Sequence, residues 1–150
     1  MHRLVGLALV ATLVGSAACS DNSTPNPPST AINLTGRWVG NMTVLGTSGV
    51  MNWTLSQSDS AVTGPVFLGL PSGTVLLNGT LVGTLSGSTL TYTITVAPGN
   101  IPSQPSCAGQ IAGTMAVSSG PPSTLTGTPA VTGSNCTPPF PGGAITLTKQ

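Results

Sequence analysis

A chain of 150 residues is about one ordinary domain, yet it holds only three Lys and Arg and two Asp and Glu, roughly a tenth of usual charge usage. A formal net charge of +1 from so few groups builds neither a basic stripe for nucleic acid nor an acidic metal basket. With 39% apolar residues and a mean hydropathy of +0.35, the chain is too apolar and too charge-poor for a disordered polymer. Its 20 Gly and 14 Pro, beside abundant Ser and Thr, point instead to short strands and many turns.

Residues 1–18 have the three parts of a secretory signal: a basic start (Met1, His2, Arg3), an apolar run from Leu4 to Val14, and the small residues Gly15, Ser16, Ala17 and Ala18. The apolar run is too short to span a bilayer as a helix. Because the small residues end against Cys19, this region resembles a bacterial lipoprotein leader. The resemblance implies that Cys19 is acylated on sulfur, exposed by cleavage, and acylated again on its new amino group. Ser16 departs from the Leu most often found at its position. An ordinary secretory signal cut near Ala18 would leave Cys19 as a spare thiol. Two or three acyl chains give stable anchoring, since each buried CH2 contributes about 0.8 kcal/mol. Ser20 rather than Asp follows the cysteine, and by the same resemblance this favours the outer membrane of a Gram-negative envelope. Residues 19–33 then read as a lipid-anchored flexible tether, because SDNSTPNPPSTAIN holds three prolines and almost no apolar residue to offset its ordering entropy.

From residue 34 to 150 the dominant signal is period-2 alternation, with no helical stripe. Trp38, Gly40, Met42 and Val44 share one face, and Met51, Trp53 and Leu55 share the next. Leu90, Tyr92, Ile94 and Val96 alternate with threonines in the clearest half-buried strand of the chain. Cys107, Gly109, Ile111, Gly113, Met115 and Val117 repeat the pattern, as do Ile145 and Leu147 at the end. Turn-forming clusters separate eight strands, near 36–45, 50–57, 61–68, 74–85, 89–97, 107–117, 124–132 and 143–149. Eight sequential antiparallel strands with hairpin-length connections fit an all-β up-and-down meander barrel, since closure removes the edges that so weakly charged strands would expose. A β-sandwich is the alternative. Pro65 and Pro129 fall inside strands and demand an edge, a bulge or a break. The inward glycines Gly79, Gly83, Gly113 and Gly127 suit strands bent around a small barrel, or form a loose Gly-Thr repeat of no special geometry.

The first strand opens Thr35-Gly36-Arg37-Trp38-Val39-Gly40, which resembles the Gly-x-Trp opening of lipocalins and avidins. The whole chain is similar to small bacterial lipoproteins carrying a lipocalin-like or avidin-like barrel. The resemblance implies that Trp38 closes one end of the barrel beneath a basic side chain from the last strand. Lys149 is the residue placed for that part, through a cation-π contact of about 0.5 to 1 kcal/mol. No second or third lipocalin motif follows.

With Cys19 assigned to lipid, Cys107 and Cys136 remain in a chain expected outside the cytoplasm, and they should pair as one disulfide. They lack CxxC spacing, and no histidine or acidic cluster accompanies them, which argues against a redox or zinc pair. Beyond residue 18 the ionisable side chains are Arg37, Lys149, Asp21, Asp59 and Tyr92, besides the cysteines. Asp59, within Ser58-Asp59-Ser60, reads as a turn residue, so the domain has no carboxylate pair for hydrolysis. A serine nucleophile lacks a suitable base, and no phosphate loop opens a helix. Catalysis, cofactors, metals and nucleic acid are therefore not expected. Two functions fit what is left. One is a barrel holding a small apolar or neutral polar ligand. The other is a surface-interaction protein, like the small protease inhibitors with similar barrels, binding a partner through its loops. Phe140, in a proline-bounded loop beside Cys136, is the candidate anchor for the second, or else a plug over the barrel end. Interior volume discriminates the two.

Overall fold

In a computed structural model of the chain, which describes residues 31–44 and 47–150, ten strands run in chain order. They are β1 (Gly36–Val44), β2 (Thr47–Ser58), β3 (Ala61–Gly69), β4 (Val75–Ser86), β5 (Thr89–Val96), β6 (Gly109–Ser118), β7 (Thr124–Gly127), β8 (Ala130–Ser134), β9 (Phe140–Pro141) and β10 (Ile145–Lys149). Alternation decides their faces: in β5 Leu90, Tyr92, Ile94 and Val96 are buried, while Thr89, Thr91 and Thr95 are exposed. Threonine suits the outer face because it is β-branched and bonds water without charge.

Each strand from β1 to β6 pairs antiparallel with the next. β6 then pairs β7, β7 pairs β10, and β10 returns to β1 with Trp38 opposite Lys149 and Met42 opposite Ile145. The ring closes as an eight-stranded antiparallel barrel in up-and-down order, not as a sandwich. Its seventh strand is in two pieces. β7 pairs the end of β6, β8 pairs its beginning, and the break falls at Thr128 and Pro129. A proline cannot donate to the ladder, and the chain turns aside there to form β8 and an extra short strand, β9, which pairs only with β8. Pro65 has a milder effect. It faces outward in β3, and the β2–β3 ladder skips Thr54–Pro65 and Leu55–Gly64 while keeping its register.

The interior is assembled by size. Tyr92 lies between Gly83 and Gly113 on its two neighbouring strands, and Gly127 lies between Met115 and Ile145. Large side chains thus sit beside absent ones, which lets the small circumference close at native packing density. At Gly127 the fit is tight enough that an added Cβ would run into the carbonyl oxygen of Thr114. Around these positions Trp38, Trp53, Leu81, Leu90, Met115, Leu125 and Leu147 are fully buried. Each contributes about 1.5–3 kcal/mol by leaving water.

Replacing Gly127 with Ala should therefore destabilise the barrel by about 1–3 kcal/mol, read as a lowered urea midpoint with unchanged slope. Gly133→Ala, where an added Cβ meets nothing within 4 Å, should stay within about 0.5 kcal/mol of the parent.

Candidate functional site

The two ends of the barrel differ. At the end where β1 begins, the preceding residues fold across the opening. Gln57 holds them: its Oε1 accepts from Leu34 N at 2.8 Å, and its Nε2 donates to Ile32 O at 3.2 Å and Asp59 O at 2.8 Å. Leu34 is fully buried and Ile32 packs on the core, so barrel contacts reach into the segment read from sequence as tether. Beneath this cover Trp38 is buried and its Nε1 donates to Leu34 O at 2.8 Å. Lys149 Nζ lies 5.7 Å from the Trp38 ring centroid and donates to Asn33 O at 2.8 Å. This end is sealed. Asp59 turns the chain between β2 and β3 with φ +53°, a left-handed conformation that Asp tolerates.

One step up the barrel, Trp53 and Tyr92 meet edge to face, with ring centroids 5.3 Å apart and planes at 67°. Such a pair is worth about 0.5–1.5 kcal/mol beyond its burial. Trp53 Nε1 and Tyr92 Oη are both buried without a hydrogen-bond partner. Burial pushes the Tyr92 phenol up to about 12, because the phenolate would lose its hydration with nothing to replace it.

The opposite end holds a cavity of about 200 Å3. Its floor is Met51, Val66, Ile94 and Ile145, all buried, and its rim is Met42, Leu68, Leu77 and Ile111, all half-buried. The last part of the wall comes from the broken seventh strand and its return: Pro129, Ala130, Val131 and Gly142. Gly142 N donates to Pro129 O at 2.8 Å, which keeps the β8–β9 hairpin folded over the cavity. None of these side chains carries a hydroxyl, an amide or a charge.

Cys107 and Cys136 are joined Sγ to Sγ with Cα atoms 5.6 Å apart, tying the loop after β8 to the segment before β6. Asn135 reinforces the link: its Oδ1 accepts from Ala108 N at 2.8 Å and its Nδ2 donates to Ser106 O at 3.0 Å. Closing a 29-residue separation stabilises by about 3.5 kcal/mol on the chain-entropy account. Phe140 pairs through its backbone with Val131, and its side chain lies outside the described residues, as does Cys19. The residues singled out from sequence therefore divide between the ends, with Trp38 and Lys149 at the sealed one and Cys107, Cys136 and Phe140 at the cavity end. The cavity residues were not singled out. Their sequence signal is weak, since Met42, Leu77 and Ile111 read as ordinary inward positions of their strands.

No protein-family model matches this chain, and no curated protein does either.

The Tyr92 phenol gives a test of the interior. Its folded value lies above the ordinary 10, so between about pH 10 and 12 the unfolded chain releases a proton that the folded chain keeps, and stability falls with rising pH. The loss should reach about 2–3 kcal/mol at 1.36 kcal/mol per pH unit, measured by denaturant unfolding across that range. Tyr92→Phe should flatten the alkaline fall. At neutral pH it should leave stability unchanged or slightly raised, because it deletes an unpartnered buried hydroxyl.

Proposed function

We propose that this chain is a lipid-anchored, non-catalytic cell-envelope barrel that binds a small apolar ligand in the cavity at its unsealed end. The observation that carries the reading is the cavity itself, about 200 Å3 of interior walled by Met, Val, Leu, Ile, Pro, Ala and Gly. In a well-packed core such a space costs stability, and concave apolar space is where small molecules bind. The exterior favours the same reading. Among the described side chains the large exposed hydrophobic residue is Val82 at 63%, and a single residue is not a docking patch. Affinity has then to come from apolar contact inside the barrel, which ionic strength affects little. A neutral polar ligand is disfavoured by the same walls, since its hydrogen-bonding groups would be left unpaired.

The anchor rests on sequence: the small residues ending at Cys19 and the proline-rich stretch after it. The non-catalytic reading rests on the lack of a histidine, a carboxylate pair and a phosphate loop beyond the leader.

Xenon, which enters apolar cavities whatever their natural ligand, should shift the methyl resonances of Met42 and Met51 saturably and leave those of buried Met115 unchanged. Ile111→Phe should abolish the shift by filling the space from the rim. Absence of any xenon shift in the parent protein would remove the cavity reading. For the anchor, Cys19→Ala should yield an uncleaved precursor that takes up no labelled fatty acid, and normal processing of that variant would refute lipidation.

A further inference from the structure

We infer that the ligand this cavity selects is a single-ring aromatic hydrocarbon, bearing at most a short alkyl substituent, and that Met42 and Met51 select the ring. The inference rests on the reading of the cavity as a ligand site and goes on to the chemistry of the ligand.

Shape comes first. β1, β2, β4, β5, β6 and β10 each give the cavity one inward side chain, whereas β3 gives Val66 and Leu68 and β8 gives Ala130 and Val131. Inward positions on a strand are two residues apart, about 7 Å at the usual rise, so the space is about one to two side chains deep. On β2 and β5 the next inward residues below the floor are Trp53 and Tyr92, fully packed against each other. They stop the cavity from running on as a tunnel. A long acyl chain therefore has nowhere to extend within the barrel, while a compact ring fits.

Size narrows the class further. At about 200 Å3 the cavity is below the roughly 300–1,000 Å3 usual for drug-sized ligands. It exceeds the roughly 150 Å3 of an engineered apolar cavity that stays dry and takes up benzene. One ring with a small substituent lies between these bounds. The described walls disfavour a phenol or a heterocyclic N–H, because no side chain named among them can accept the proton and an unpaired buried donor is costly.

The two methionines separate an aromatic ring from a saturated one. They are diagonal neighbours on adjacent strands, since Met42 pairs with Gly49 and Gly40 pairs with Met51. Each is thus opposite a glycine, and no facing side chain on that strand pair fixes its rotamer. Three rotatable bonds let each thioether adjust to an occupant, and sulfur prefers an aromatic ring over an aliphatic one of similar size. Among the described side chains the wall contributes no aromatic one that would compete for the ring's sulfur contacts.

The test uses Met42, Met51 and Met115 as methyl reporters, with toluene, methylcyclohexane and phenol as probes. Toluene should shift Met42 and Met51 saturably and leave Met115 in place. Methylcyclohexane and phenol should each bind at least about tenfold more weakly. Tenfold corresponds to 1.4 kcal/mol, within what two sulfur–aromatic contacts supply. In the double variant Met42→Leu/Met51→Leu, followed by its Ile94 and Ile111 methyls, toluene and methylcyclohexane should come within about threefold of each other. Equal binding of the two by the parent protein overturns ring selection and leaves the cavity reading standing, and a preference that survives the double variant overturns its assignment to Met42 and Met51. The parent comparison decides the matter even if the variant does not fold. Xenon binding without toluene binding also overturns this inference alone, whereas failure of both removes the cavity reading with it.

Discussion

Closure is the constraint on which everything else depends. An open sheet of these strands would present rows of unpaired N–H and C=O groups with almost no charge to keep another copy away. The β1–β10 ladder, from Trp38–Lys149 to Met42–Ile145, removes those edges. Closing a sheet on only eight strands leaves little room inside, so inward side chains cannot be uniformly large. The glycines beside Tyr92 and beside Met115 and Ile145 follow from that requirement. The place where a strand of the ring splits, at Pro129, is covered by its own return hairpin and tied by the Cys107–Cys136 link. Proline at 141 further blunts that short edge, because it has no N–H to offer a neighbour.

The same arrangement gives the molecule a direction. At the sealed end the polar groups are matched: Trp38 Nε1, Lys149 Nζ and the Gln57 amide all reach backbone carbonyls, and the Gln57 carbonyl accepts from Leu34 N. At the middle, the Trp53 and Tyr92 polar atoms are unmatched, a cost of about 1–3 kcal/mol each if no partner arrives. At the far end the described walls contain nothing polar to match. Polarity thus declines along the barrel from the end where the chain enters to the end that is hollow. An apolar occupant is most compatible with the hollow end.

Much of the fold is legible in the sequence, because a half-buried strand writes its two faces into alternate residues. The run Leu90, Tyr92, Ile94, Val96 against its threonines declares a strand without any knowledge of partners, and seven similar runs give the strand count of the barrel. Pro129 announces a disruption, though alternation through Val131 hides that the strand splits in two there. β9 leaves no signal, since Phe140–Pro141 is two residues long and its pairing depends on where the Cys136 loop returns. Gln57 is invisible for a different reason: a polar residue near a strand end reads as solvated, and only the folded chain brings Ile32 and Leu34 to it. The hollow end is the hardest to read. Whether Met42, Leu77 and Ile111 meet across the barrel or stand back from one another depends on register and stagger among eight strands, and no single strand encodes either.

Stability sharpens the functional argument. Unfilled apolar space forfeits up to about 24 cal/mol per Å3, so a 200 Å3 cavity costs at most about 5 kcal/mol against a filled core. The Cys107–Cys136 bridge returns about 3.5 kcal/mol on the chain-entropy account, most of that loss. Met42 and Ile111 stand half-buried at the rim, where larger side chains would cap the space and recover buried area. A sequence that can pack Trp38, Trp53 and Tyr92 into the core of the same barrel has the means to fill the remainder. On the proposed reading, the opening above Met51 and Ile94 is space kept for an occupant, whose contacts would offset that cost.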